Sequence, residues 1–112
     1  MKDITIRISG SITIGEGDIQ IHNFVRKAID DDYDIIVLDL GKVSYMDSAA
    51  VGEIAASFTS CKNKNRTFAL ANMPPNIKKI MEVMCFLDLV PNFGSVEDAL
   101  QILRQRHKEK KS

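Results

Sequence analysis

Asp34-Ile35-Ile36-Val37-Leu38-Asp39-Leu40 is a nearly continuous run of aliphatic, mostly β-branched residues near the middle of this 112-residue chain. A run of this kind is typical of a central strand in a sheet that helices cover on both faces. Gly41-Lys42 interrupts the run, and residues 43–47 are predicted to form a loop that ends at a helix-capping residue. Because a helix is predicted to begin near Ser48, the stretch indicates an α/β fold in which a buried strand leads into a helix.

The N-terminal segment is predicted to form a β-hairpin. Ile4, Ile6 and Ile8 alternate with polar residues, which is the pattern of a strand with one buried face. Gly10-Ser11 interrupts the alternation, and residues 12–14 resume it. These two short strands are therefore expected to pair with each other across a turn at Gly10-Ser11.

The rest of the chain alternates between helix and strand patterns. Apolar residues at helical spacing predict helices over about residues 18–30, 48–61, 75–87 and 96–103. Short strands are predicted at residues 66–71 and 89–90. This order, with its short connections, predicts a single α/β domain that has a mixed, mostly parallel sheet of about four to five strands and about four helices.

Charge is balanced over the whole chain but not along it. The 15 Lys and Arg residues match the 15 Asp and Glu residues, so the body has no electrostatic reason to bind nucleic acid or an anionic membrane. Residues 104–112 hold five basic residues against Glu109 and carry a net charge of +4, which leaves −4 on residues 1–103. We therefore predict a domain over residues 1–103 and a basic, solvated C-terminal tail over residues 104–112.

The cysteines and the N-terminus indicate the compartment. Neither Cys61 nor Cys85 belongs to a Cys-x-x-Cys pair or lies beside a histidine at metal-binding spacing, so both are expected to be small core residues in a reducing environment. The first residues alternate and form no apolar signal core, and no apolar run is long enough to cross a bilayer. A cytoplasmic location is expected.

Catalytic groups are scarce in the sequence. The histidines are His22 and His107, the second of which lies in the basic tail, so a serine-histidine-acid triad has no credible base. Gly15 and Gly17 lack the third glycine of a dinucleotide-binding loop, and no Gly-Lys-Ser or Gly-Lys-Thr is present to bind a phosphate group. We expect a protein that is not an enzyme and has no cofactor.

An acidic cluster at residues 30–34 raises the possibility of a metal site. In a calcium loop starting at Asp30, the required glycine would fall at Ile35 and the bidentate glutamate at Gly41, so a solvated turn is the preferred interpretation and no metal is expected. An aspartate that accepts phosphate is a further alternative, since response-regulator receivers are also small α/β proteins. They need an acidic pair after the first strand, where this chain has Ser9-Gly10-Ser11, so Asp47 does not have that role.

Asp47-Ser48 is the remaining candidate site. It follows the central strand by a short connection, and the carboxyl ends of strands in open α/β sheets carry functional loops. Considered alone, however, this dipeptide is better explained as a residue pair of which Asp47 or Ser48 does no more than cap the helix that follows.

The fifteen residues from Leu38 to Gly52 resemble the signature of STAS domains, and in particular that of bacterial anti-sigma factor antagonists. In that signature a buried strand is followed by a short loop ending in hydrophobic-Asp-Ser, and then by a small residue, a glycine, an aliphatic residue and another glycine. In this chain these positions read Met46-Asp47-Ser48-Ala49-Ala50-Val51-Gly52. The resemblance covers nearly the whole chain, including the proline-rich helix start between Asn72 and Leu89.

The resemblance implies partner switching. The unphosphorylated antagonist binds an anti-sigma factor that is also a serine kinase, phosphorylation ends the complex, and a serine phosphatase restores it. Ser48 matches the phosphorylated serine of the family and Asp47 its acidic neighbour, so residues 47–50 are predicted to contact the partner. Ala50 departs from the usual glycine and places a methyl group next to the expected docking site.

Two further expectations follow from the same resemblance. The first concerns other phosphorylation sites: Ser44, Ser57 and Thr59 are secondary candidates, each of which is also an ordinary polar residue of a loop or helix. The second is an alternative function, in which the chain is a structural STAS subunit of a stressosome-like sensory assembly or of a lipid-transport complex at a membrane.

Overall fold

The structure, a computed structural model, describes residues 1–111 and places four strands and four helices in them. In chain order these are β1 (Asp3–Ile12), α1 (Gly17–Asp30), β2 (Ile35–Met46), α2 (Ser48–Asn63), β3 (Thr67–Ala71), α3 (Pro75–Val83), β4 (Asn92–Phe93) and α4 (Val96–Lys111). The strands form one sheet in the order β1-β2-β3-β4, and every neighbouring pair is parallel. The predicted α/β class is confirmed.

The predicted N-terminal hairpin is wrong. β1 is one strand that pairs with β2 along its whole length, from Asp3 opposite Ile35 to Ile12 opposite Met46. The register shifts between Arg7 and Ser9 and again after Gly10, whose φ is 78°. Gly10-Ser11 is therefore part of an irregular, bulged strand rather than a turn, since a bulge interrupts the alternation of side chains without reversing the chain.

Two other strand boundaries differ from the prediction. Residues 43–46, predicted as a loop, continue β2 beyond the part that pairs with β3, because β1 accompanies them to Met46. The last strand lies at Asn92–Phe93 and not at residues 89–90, since its partners in β3 are Leu70 and Ala71. α3 also ends at Val83, before the predicted end near residue 87.

The core lies on both faces of the sheet, as the aliphatic run predicts. On one face Ile36, Leu38 and Leu40 belong to a cluster with buried residues of α1, α2 and α3. On the other face Ile35 and Val37 pack in a second cluster with α4. All five of these β2 side chains are fully buried, as expected for one of the two inner strands of the sheet.

The C-terminal helix continues into the segment that was predicted as a tail. Ser95 caps α4, because its Oγ accepts a hydrogen bond of 3.0 Å from the backbone N–H of Asp98. α4 then runs through residue 111, so no change of secondary structure marks residue 104. The division into a domain over residues 1–103 and a basic segment over residues 104–112 stays a prediction.

One cysteine is placed as predicted and the other is not. Cys61 is buried on α2, whereas Cys85 is exposed just after α3, where its φ is 62°. Along residues 1–111, none of the helices has the length and apolar character that crossing a membrane would require.

Candidate functional site

α2 begins at Ser48, immediately after the end of β2. The site therefore lies beyond the carboxyl end of a central strand, at the edge of the sheet where α/β proteins expose functional loops. Ser48 is exposed, and its hydroxyl makes no hydrogen bond to any residue between 1 and 109. The predicted helix start is confirmed, and the Ser48 hydroxyl is accessible to another protein.

Asp47, and not Ser48, caps the helix. Asp47 has an extended backbone with φ −93° and ψ −179°, and its Oδ1 accepts a hydrogen bond of 3.0 Å from the backbone N–H of Ala50. Its backbone carbonyl accepts a bond of 3.1 Å from the N–H of Val51. The Asp47 carboxylate thus satisfies one of the free N–H groups in the first turn of α2, that of Ala50, while its carbonyl accepts the first regular hydrogen bond of the helix.

The second carboxylate oxygen of Asp47 connects the helix to a different part of the chain. Oδ2 accepts a hydrogen bond of 2.9 Å from the backbone N–H of Ile14, which lies in the loop between β1 and α1. The Asp47 N–H donates to the carbonyl of Ile12 at 3.3 Å. Asp47 therefore holds the β1–α1 loop against the start of α2, and both of its carboxylate oxygens are occupied.

These hydrogen bonds stabilise the charged form of the Asp47 side chain. The N–H of Ala50 and then that of Ile14 hold the pKa of the Asp47 carboxyl below its ordinary value, and partial desolvation opposes them less strongly. The site consequently contains a fixed negative charge beside Ser48.

The alanines after Ser48 face in different directions. Ala49 is half-buried, whereas Ala50 is fully buried in the core cluster that includes Met46 and Val51. The Ala50 methyl group meets the chain itself, because that side of the helix faces the sheet. Contact of residues 47–50 with a partner stays a prediction. The methyl group that replaces the usual glycine packs in the core of the domain.

Two exposed apolar side chains flank the site. Ile14, whose N–H binds Asp47, is 73% exposed, and Tyr45, two residues before Asp47, is 50% exposed. Sequence reasoning treated residues 12–14 as a strand and did not identify Ile14 as part of the site. No local pattern could have done so, because the contact depends on a carboxylate 33 residues away.

The start of α1, just after the β1–α1 loop, is packed tightly against the end of β1. A Cβ atom added to Gly17 would lie 2.8 Å from the Cα of Ile12 and 2.5 Å from its Cγ2. Only glycine fits this close approach of two backbone segments. The loop that supplies Ile14 to the site therefore depends on Gly17.

The secondary phosphorylation candidates differ in accessibility. Ser44 is exposed on β2, and the exposed Thr59 donates its hydroxyl hydrogen to the carbonyl of Ala55 at 3.1 Å. Ser57 is only 3% exposed, so a kinase cannot reach it in the folded domain. Ser57 is therefore excluded as a site on the folded protein.

The acidic cluster after α1 is paired with basic side chains. Arg66 lies 2.9 Å from Asp32 and 3.5 Å from Asp34, and Lys27 lies 3.1 Å from Asp31. Over residues 1–111, no three His, Cys, Asp or Glu side chains are grouped so that they could hold a metal ion. These acids join the end of α1 to the start of β3.

Residues 2–99 match the family model for the STAS domain. The chain belongs to the STAS domain family. The matched residues include the whole sheet, the first three helices and the Asp47-Ser48 junction.

Solved STAS structures have the same fold. The anti-sigma factor antagonist SpoIIAA of Bacillus superposes in its unphosphorylated form with a TM-score of 0.69, at 21% identity, over 92% of this chain and 90% of that one. Its phosphorylated form gives 0.68 at 18% identity, over 91% of each chain.

Two further structures are similar. An anti-sigma factor antagonist from Mycobacterium paratuberculosis gives a TM-score of 0.79 at 18% identity, over 91% of this chain and 86% of that one. The STAS domain of a SulP transporter from Vibrio cholerae gives 0.78 at 13% identity, over 96% and 85%. Since the mycobacterial antagonist and the SulP domain superpose about equally well, the fold by itself does not separate a regulator from a transporter domain.

Proposed function

We propose that this STAS domain is an anti-sigma factor antagonist that binds an anti-sigma factor with serine kinase activity, and that phosphorylation of Ser48 ends the complex. The observation that carries the proposal is the exposed Ser48 hydroxyl, which is free of hydrogen bonds to residues 1–109 and lies beside a helix cap supplied by Asp47. SpoIIAA, a structural neighbour, is an anti-sigma factor antagonist solved in unphosphorylated and phosphorylated forms, which supports the same control here.

A phosphate on Ser48 is compatible with the fold. Because Asp47 and not Ser48 caps α2, modification of the hydroxyl removes no hydrogen bond on which the helix depends. The phosphate would lie at the N-terminus of a 16-residue helix, where the helix dipole favours an anion. Phosphorylation is therefore expected to leave the domain folded.

The same phosphate would change the docking surface strongly. It adds about −1.5 to −2 charges next to the Asp47 carboxylate, whose charge the backbone N–H groups of Ala50 and Ile14 already stabilise. Close to Asp47, the exposed side chains of Ile14 and Tyr45 offer apolar area for a partner. Desolvation and like-charge repulsion at such a surface weaken binding by on the order of a few kcal/mol.

The proposed partners are a serine kinase that also acts as an anti-sigma factor, and a serine phosphatase that removes the phosphate. Both would act on the domain in the cytoplasm. The chain itself contributes a substrate hydroxyl and a binding surface, not a catalytic group, and it contacts neither nucleic acid nor a membrane in this role.

The direct test is phosphorylation with the cognate kinase and ATP, followed by mass spectrometry of the intact protein and of its peptides. One phosphate is expected, on Ser48, and none on the Ser48→Ala variant. Ser48→Asp should weaken kinase binding while the circular dichroism spectrum is retained. Ser60→Asp is the matched control, because Ser60 is exposed near the other end of α2, and it should bind as the wild type does. Stoichiometric modification at another residue would rule the proposal out.

The second candidate is a structural STAS subunit, either of a stressosome-like sensory assembly or of a lipid-transport complex. The similarity to a SulP transporter STAS domain supports this second candidate, because that domain superposes about as well as the mycobacterial antagonist does. Affinity purification from cells distinguishes the two. If the second candidate is right, wild-type and Ser48→Asp baits should recover the same membrane transport subunits or the same very large particle. If the first is right, the wild-type bait should recover a kinase that the Ser48→Asp bait recovers less well.

A further inference from the structure

β1 is an edge strand of the sheet, and within residues 1–111 no strand lies along its outer side. The carbonyl of Lys2 points towards β2, since it accepts hydrogen bonds from the N–H groups of Asp34 at 2.8 Å and Ile35 at 3.2 Å. Backbone groups alternate in direction along a strand, so those of Ile4 and Ile6 also point towards β2. The N–H and C=O groups of Asp3, Thr5 and Arg7 therefore point outwards. These three residues form an outward-facing edge.

The chemistry of this edge is complementary to itself. The segment reads Asp3-Ile4-Thr5-Ile6-Arg7, so reversing it about Thr5 exchanges the two isoleucines and exchanges an acid with a base. We propose that β1 of one copy of this chain pairs with β1 of a second copy in an antiparallel arrangement, with a two-fold axis at Thr5. The proposal is independent of the function proposed above.

In this register every cross-strand pair is favourable. Thr5 lies opposite Thr5 of the second copy, and Ile4 lies opposite Ile6, which is a β-branched pair of the kind that stabilises sheets. Asp3 lies opposite Arg7 in two symmetric pairs. Because all three outward-facing residues become hydrogen-bonded partners, the ladder would contain about six backbone hydrogen bonds. A two-fold axis makes the interface self-complementary and closes the assembly as a dimer.

The charged side chains are already placed for this pairing. Arg7 is 74% exposed and contacts Asp39 only through Nε, at 3.3 Å, so its two terminal nitrogens make no hydrogen bond within residues 1–111. Asp3 accepts from Nε of Arg104 at 2.7 Å through one oxygen, and its other oxygen makes no such bond. Pairing would join these groups into a row of alternating charges, in which Arg7 of one copy connects Asp39 to Asp3 of the other.

The shape of β1 limits the ladder to this segment. The register shift after Arg7 and the positive φ of Gly10 bend the strand away from a regular edge. The pairing therefore covers about five residues and stops before the β1–α1 loop. Ile14 and Ser48 stay accessible, and the short, bulged edge does not extend into a longer aggregate.

The first experiment is sedimentation of the full chain over a range of about 10 µM to 1 mM. A reversible monomer–dimer equilibrium is expected. Thr5→Pro should abolish the dimer, because proline removes an N–H that points away from β2 and is tolerated on an edge strand of the monomer. Thr5→Val keeps the N–H and a β-branched side chain, so it should dimerise as the wild type does. A monomeric wild type at 1 mM, or a Thr5→Pro variant that dimerises normally, would overturn the proposal.

A charge exchange tests the register. Asp3→Lys alone and Arg7→Glu alone each place two like-charge pairs in the homodimer and should weaken it by about five- to tenfold, as the size of such pairs indicates. An equimolar mixture of the two variants restores opposite charges in every pair and should form a heterodimer at about wild-type strength. If the mixture associates no more tightly than either variant alone, the proposed register is overturned. Recovery of association in the mixture could not result from structural damage, because each variant alone would carry that damage into the mixture.

Discussion

Replacing Ala50 with glycine tests whether the Ala50 side chain stabilises the core of the domain or contributes to partner docking. The Ala50 side chain is fully buried in the cluster beneath α2, so Ala50→Gly removes one buried methyl group, worth about 0.8 kcal/mol. Glycine also lowers helix stability by up to about 1 kcal/mol, and by less in a first turn. We therefore expect the free energy of unfolding to fall by about 1.5 kcal/mol, even though the change restores the residue usual in the family.

The assay is urea denaturation followed by circular dichroism. With a slope of about 1.5 kcal/mol/M, typical of a small domain, the midpoint should fall by about 1 M while the slope stays constant. Ala49→Gly is the matched control, because Ala49 lies in the same turn but is half-buried. It should lose the backbone contribution and only part of the burial contribution, and should therefore be less destabilised than Ala50→Gly.

Two results would refute this reasoning. One is an Ala50→Gly variant at least as stable as the wild type, and the other is an Ala49→Gly variant that loses as much stability as Ala50→Gly. Phosphorylation of Ser48 should proceed at a similar rate in both variants, since the Ala50 methyl group faces the sheet.

Three further predictions concern the surroundings of the site. Gly17→Ala should destabilise the domain by about 1–3 kcal/mol, the usual effect of overpacking, because its Cβ would approach the Cα of Ile12 to 2.8 Å; an unchanged urea midpoint would contradict this. The pKa of Asp47 is lowered by folding, so its contribution to stability is present above its ordinary pKa of 3.8 and is lost as the pH falls below that value. The difference in unfolding free energy between wild type and Asp47→Asn should accordingly shrink below about pH 4, and a difference independent of pH would argue against the hydrogen bonds described. Burial raises the pKa of Cys61 to about 11 whereas Cys85 is exposed, so a thiol-specific reagent should modify Cys85 in the native protein. Cys61 should react only after unfolding, and rapid reaction of both thiols at neutral pH would be inconsistent with this packing.

The features that could be predicted from the sequence are those set by local patterns. The buried β2 run and the capping aspartate before α2 each depend on neighbouring residues, and both are confirmed. Ser95 caps α4 through an equally local contact, the hydrogen bond from the Asp98 N–H. Capping and helical periodicity act within one or two turns, so an isolated sequence contains the information needed to recognise them.

The features that sequence reasoning missed depend on contacts between distant segments. An alternating segment with a glycine looks the same in a hairpin as in one bulged strand, and only the pairing of residues 3–12 with β2 decided between them. The same is true of Ile14, which joins the site through a carboxylate on another element.

The sequence by itself determined where α2 begins, that Asp47 can cap it, and that Ser48 follows the cap. Only the tertiary structure decided that Asp47 also holds the β1–α1 loop, that the Ala50 methyl group faces the core, and that Ser48 is left accessible. The physical reason is that capping is satisfied by backbone groups a few bonds away, whereas burial depends on which surface a distant strand or helix covers.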